Sequence, residues 1–160
     1  MNPLVKKAVL QKLTYGMWVI TADAAGELEG SSVTWLSQTS FTPPLVMVAV
    51  KRDTHLEQVV RKAGCFALHL IGSKQKDVAE GFTKPTTSGG GKIGGFTFKK
   101  GPATGAPLLD GFAATLEAKV AERIDRGDHV VYLAEIVGAE QADASVEPLV
   151  LATTRWNYGG

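Results

Sequence analysis

This sequence is short of the residues that most often announce a function. It holds one cysteine and three histidines in 160 residues. A single cysteine rules out an internal disulfide, and Cys65 sits in the apolar run Cys65–Ile71, where a thiol reads as a small buried hydrophobe rather than a nucleophile. Such usage fits a reduced, cytoplasmic setting. His55, His69 and His129 show no metal-ligand spacing, and no cysteine or carboxylate completes a set, so no metal site is expected. Charge of one sign is missing too. Seventeen Lys and Arg face sixteen Asp and Glu, a net +1, which removes the electrostatic case for nucleic acid or an anionic membrane. Long apolar runs are also absent, and the opening MNPLVKKAVL reads as neither a signal peptide nor a membrane span.

What is present is a chain with 44% hydrophobic residues, enough for a single domain over residues 1–160 with a real core. Asn2 and Pro3 start a helix, and Leu4, Val5, Ala8, Val9 and Leu13 recur at helical spacing up to Tyr15-Gly16. A short strand follows over Met17–Ala22, turned back at residues 23–26. Thr54 with Glu57 forms a capping box, which opens a helix that buries Leu56, Val59 and Val60 and stops at Gly64. Cys65–Ile71 reads as a strand, and Ser73 as the cap of a short helix reaching Phe82. Residues 84–95 form a glycine-rich surface loop, a candidate lid. Gly89, Gly91 and Gly94 have dinucleotide-motif spacing, but no strand enters them and no helix leaves, so the motif is rejected.

The last third alternates. Phe112, Ala114, Leu116, Ala118 and Val120 mark a strand with one wet face, and residues 125–128 form a turn. His129–Ala139 is apolar on both faces, so its second face is expected to meet a helix or another subunit. Pro148–Ala152 is expected to be a last strand. Many short strands with few helices predict a mainly β protein, a closed barrel rather than an α/β sheet.

The stretch from Glu29 to Val50 is the unusual one. Two strands, Ser31–Phe41 and Leu45–Val50, are predicted around a corner at Thr42-Pro43-Pro44. Ser31, Ser32, Thr34, Ser37, Gln38, Thr39 and Ser40 put polar groups on both faces of the first. A strand of this kind either lies on a sheet edge or lines a cavity for a flat polar ligand.

Gly30, Ser32, Thr34, Trp35, Ser37–Ser40 and Pro43-Pro44 together resemble the signature of the flavin reductase-like family. The hydroxyl types at 32 and 34 are exchanged relative to the commonest members. Lys51 to His55, Gly64 to Leu68, Gly105 to Leu109 and the turn Gly127-Asp128-His129 are similar to further family segments. His69 stands where many members have Asn, and the chain ends differently, in Arg155-Trp156-Asn157-Tyr158.

The resemblance implies an FMN-binding split β-barrel, Greek-key-like, with a few flanking helices. It implies hydride transfer from NADH or NADPH to FMN (FAD being possible) and on to free flavin, ferric iron or a partner oxygenase. It also implies a homodimer. The alternative within the same fold is a non-catalytic module that holds FMN or haem. A flavin needs phosphate donors, hydrogen bonds to its ring edge and an apolar wall. The ring is assigned to Trp35, Leu36, Ser37, Gln38 and Thr39. Ser32, Thr34, Lys51, Arg52 and Thr54 are assigned to the ribityl-phosphate tail, with Val33, Asp53 and His55 as flanking contacts. Thr54 opens a helix, where a phosphate gains from free N–H groups. Solvated strand ends, a plain cap and a core aromatic are the other readings of Lys51-Arg52, Thr54 and Trp35. His129 is the catalytic candidate, with a positional role toward nicotinamide or reduced flavin.

Overall fold

The computed structural model describes residues 1–160. In chain order the elements are α1 (Pro3–Leu10), β1 (Trp18–Ala24), β2 (Glu27–Val33), β3 (Leu36–Ser40), β4 (Leu45–Lys51), α2 (His55–Ala63), β5 (Cys65–Leu70) and α3 (Lys76–Gly81). There follow β6 (Ser88–Gly89), β7 (Lys92–Ile93), β8 (Phe96–Lys100), β9 (Pro107–Leu109), β10 (Ala114–Asp125), β11 (His129–Gln141) and a 3₁₀ turn at Leu151–Thr153. The protein is mainly β, with the split-barrel fold. Seven antiparallel strands run in the order β2-β1-β5-β10-β11-β4-β3, and a small sheet runs β6-β7-β8-β9.

The barrel does not close. β2 and β3 are the two edges of the large sheet although they are consecutive in the chain. The expected single strand Ser31–Phe41 is broken at Thr34-Trp35, where the Leu36 amide bonds the Thr34 carbonyl at 2.9 Å. That local turn takes the backbone groups a continuous strand would give to a neighbour.

One face of the sheet wraps α2. Thr54 accepts from the Glu57 amide, and Gly64 ends the helix with φ +66°, a conformation glycine adopts without strain. Val59 and Val60 are fully buried against Ile20, Phe66, Leu68 and Val48. Glu57 itself does not complete a capping box. It turns inward, is 5% exposed, and accepts from the Tyr132 hydroxyl at 2.8 Å and from Arg123 at 3.2 Å. The other face packs Val19, Ile71, Phe82, Ile93, Leu109 and Phe112 into a second core. Ile93 anchors the glycine-rich stretch there.

Several sequence expectations need correction. Residues 84–95 are not a free lid: β6 and β7 pair as a small hairpin, Ser88 Oγ donates to the Leu28 carbonyl at 3.0 Å, and Ile93 is fully buried. Gly30 makes room for it, since a Cβ there would lie 2.8 Å from Ile93 Cγ2. Ser73 does not cap α3. Gln75 holds that position without a side-chain cap, its amide oxygen accepting instead from the Gly72 N–H at 2.9 Å. Residues 148–152 make only isolated bridges to Gly72 and Gly16 before the 3₁₀ turn. α1 ends at Leu10, with Leu4, Val5 and Val9 each more than half exposed. The outward-facing Val131 and Leu133 of β11 are half-buried, and no helix covers them.

Candidate flavin site

A cavity of about 650 Å³ opens where the end of β2, the end of β4, the start of α2 and the C-terminal tail meet. That is within the usual range for a small-molecule site. Ser32, Val33 and Thr34 form one wall, and Ala49, Val50 and Lys51 another. Thr54, Leu56, Glu80 and Trp156-Asn157-Tyr158 complete it.

The polar atoms on these walls are unequal. Ser32 Oγ donates to the Ala79 carbonyl at 2.8 Å and Ser31 Oγ to that of Phe82 at 3.2 Å, so both hydroxyl protons are engaged in docking α3. Thr34 Oγ1 is buried and has no hydrogen-bond partner. A buried hydroxyl left unpaired costs about 1–3 kcal/mol, and this one belongs to a residue that borders the cavity. Lys51 joins none of the ion pairs. Thr54 donates to the Lys51 carbonyl at 2.8 Å and caps the Glu57 amide at 3.2 Å. The His55 and Leu56 N–H groups at the start of α2 find no partner within the chain, as helix geometry leads one to expect.

Of the residues assigned from the sequence, Ser32, Val33, Thr34, Lys51 and Thr54 line this cavity. The others stand elsewhere. Ser37, Gln38 and Thr39 are exposed on the edge strand β3, and Leu36 packs toward the core. Arg52 pairs with Asp125 and donates from Nε to the Gly127 carbonyl at 2.8 Å, which ties the end of β4 to the 125–128 turn. Asp53 is exposed, in the left-handed region at φ +60°. His55 faces away, its nitrogens 2.6 Å from Glu29 and 2.9 Å from Glu27, and these hydrogen bonds raise its pKa. Trp35 and His129 pack together with their rings tilted by 44° and centroids 4.5 Å apart. His129 Nδ1 lies 2.9 Å from Asp128 Oδ1, and its Nε2 lies 2.6 Å from the Tyr158 hydroxyl. The bond from His129 lowers the Asp128 pKa, while burial and then Asp128 raise that of Tyr158. Met17, Glu80, Thr83 and the tail residues were not assigned from the sequence. Only the aromatic content of 156–158 hinted at them.

A family model described as the flavin reductase like domain matches residues 10–160. This chain belongs to the flavin reductase-like family. It is 27% identical over 125 residues to the NADH-dependent FAD reductase of Streptomyces globisporus, covering 78% of this chain and 68% of that one. Among solved structures of the family, the NADH:FAD oxidoreductase SgcE6 of Streptomyces globisporus C-1027 superposes with a TM-score of 0.79 at 23% identity, over 94% and 90% of the two chains. The styrene monooxygenase flavin reductase of Pseudomonas putida S12 gives 0.76 at 25% identity, over 97% and 95%. The chain spans less than half the length of the first curated relatives it matches. No helix is long and apolar enough to cross a membrane.

Proposed function

We propose that this chain is an NAD(P)H-dependent flavin reductase that binds FMN, or the FMN half of FAD, in the cavity at the start of α2. The cavity carries the reading, because its lining sets Lys51, which joins no ion pair, beside Thr54 at the start of α2 and a wall of apolar side chains. Lys51 and the α2 N-terminus suit a phosphate. Val33, Val50, Leu56 and Trp156 offer the apolar wall a planar ring needs. A bound flavin would accept a hydride from the nicotinamide and hand electrons on. The protein's part is then to bind, orient and exclude water. The name of the Streptomyces globisporus relative supports NADH as donor, and that of the styrene monooxygenase reductase supports a partner oxygenase as acceptor. Half-exposed Met47, Val131 and Leu133, with the apolar side chains of α1, favour a homodimer.

The test uses the purified chain loaded with FMN. Adding NADH or NADPH without oxygen should bleach the visible absorbance of oxidised flavin, and the preparation should sediment as a dimer. FMN should bind roughly tenfold or more tightly than riboflavin, and K51A should narrow that gap, since one charge-assisted bond is worth about 1.5–3 kcal/mol. Flavin that binds but is bleached by neither nicotinamide sinks the reductase reading. Equal affinities for the two flavins would sink the phosphate assignment, and a flavin-loaded monomer the dimer.

A further inference from the structure

Asp128, His129 and Tyr158 stand in line: Asp128 Oδ1 is 2.9 Å from His129 Nδ1, and His129 Nε2 is 2.6 Å from the Tyr158 hydroxyl. The indole of Trp35 packs against both rings, with centroids 4.5 Å from His129 and 5.3 Å from Tyr158. Only one member of the line reaches the cavity. Tyr158 lines it, and neither His129 nor Asp128 does. We propose that Tyr158 is the residue through which this line touches the ligand, and that His129 and Asp128 are positioning residues that orient its hydroxyl. The proposal rests on the flavin and nicotinamide reading above.

The chemistry follows from which atoms can donate. A carboxylate only accepts, so Asp128 keeps a proton on His129 Nδ1 and leaves Nε2 of the neutral ring as an acceptor. The Tyr158 O–H then points at Nε2, and its oxygen lone pairs face the cavity. The matching ligand group is an N–H donor, which a nicotinamide carboxamide and the pyrimidine edge of a flavin both offer.

The tail is built to hold this tyrosine. Gly159 lies flat on the indole at φ +98°, and a Cβ there would come 3.2 Å from Trp35 Cζ2. Gln11 Nε2 donates to the Gly159 carbonyl at 3.3 Å. The residue after Tyr158 is therefore fastened from two sides, while 43% of Tyr158 stays exposed.

The experiment is a double-mutant cycle on the full chain with Y158F, H129N and both together. Phenylalanine keeps the ring against Trp35, and thermal melting checks that each variant is folded. Affinities for FMN and for oxidised nicotinamide dinucleotide are measured separately, with the visible spectrum of bound flavin. Each single variant should weaken one of these two ligands by roughly tenfold, the scale of one hydrogen bond. The ligand that responds identifies which amide edge Tyr158 meets. The double variant should bind no worse than Y158F. An H129N effect that persists in the Y158F background overturns the proposal, because the imidazole would then act on the ligand directly. So do two single variants that leave both affinities unchanged. A wild type that takes up neither ligand overturns the functional reading and this proposal with it, a result unlike the other patterns.

Discussion

Two regions of this molecule bury polar side chains, and they treat them in opposite ways. On the outward face of β1, β5 and β10, Thr21, His69 and Glu117 all reach the 101–109 segment. Thr21 donates to the Pro107 carbonyl at 2.6 Å. His69 Nε2 accepts the Leu109 amide at 2.9 Å, and its Nδ1 lies 3.2 Å from the Val19 carbonyl. Glu117 accepts from the Thr104 amide at 2.8 Å, from its hydroxyl at 2.7 Å, and from the Ala103 amide at 3.2 Å. These three side chains are engaged, and neither cavity of note touches them. At the other end of the barrel Thr34 and Trp35 keep a buried hydroxyl and an indole N–H without partners. The difference separates two uses of buried polarity. Satisfied internally it pins a loop, and left open it waits for something the chain does not contain.

The first way to break the comparison is at Glu117, where the largest effect is expected. The carboxylate is 4% exposed and packs so closely on Gly101 that a Cβ there would meet it. Replacing it by Ala leaves the Thr104 and Ala103 donors without an acceptor. E117A should lose about 3 kcal/mol of stability in urea unfolding, within the range for breaking a buried charged network. Flavin affinity at a temperature where the variant is folded should not change. A loss of flavin binding in the folded variant would show that the two regions are not separate.

His69 gives the second test, through pH. Burial pushes its pKa down to about 4, against an ordinary value of 6.5. Both ring nitrogens are engaged, with Nε2 as acceptor from an amide, so protonation must break the bond to Leu109. The unfolded chain takes up the proton first as pH falls. The His69 contribution is therefore fully present above about pH 6.5, is lost progressively down to about pH 4, and falls no further below that. A loss of about 2–3 kcal/mol across that window is expected, and H69Q should flatten it. A wild-type stability that does not fall between those pH values would refute the assignment.

Features decided within a few residues were legible in the sequence, and those decided by distant partners were not, for a physical reason. Caps and turns are decided within a few residues, so Thr54, Gly64 and the 125–128 turn stand where their sequence pattern puts them. The β10–β11 hairpin follows from its turn in the same way. Ser32 looks like a ligand donor from its neighbours, yet its proton goes to Ala79, 47 residues away. Glu57 completes a capping-box pattern locally but turns to Tyr132, 75 positions on. The tail carrying Tyr158 meets Trp35 only because the barrel brings the chain's two ends together. Such commitments depend on which strands become neighbours, and no local spacing encodes that. The failure of the barrel to close has the same origin, since β2 and β3 follow each other in the chain yet pair at opposite edges of the sheet.

Thr34 offers the smallest effect and the sharpest contrast, because its sign should be reversed. Valine has nearly the shape of threonine without the hydroxyl, so T34V removes an unpaired buried polar group and opens no cavity. Where a satisfied group costs stability when removed, an unsatisfied one should return it, and T34V is expected to gain about 1 kcal/mol in the ligand-free protein. The same change should weaken FMN by roughly tenfold if that hydroxyl bonds the flavin, so ligand-free stability and ligand affinity move in opposite directions. Melting with and without FMN measures both in one series, because bound ligand raises the folded state by mass action. A T34V protein less stable than the wild type, with FMN affinity unchanged, would mean that the hydroxyl is satisfied within the folded chain. Thr34 would then belong with Thr21, its hydroxyl held within the chain.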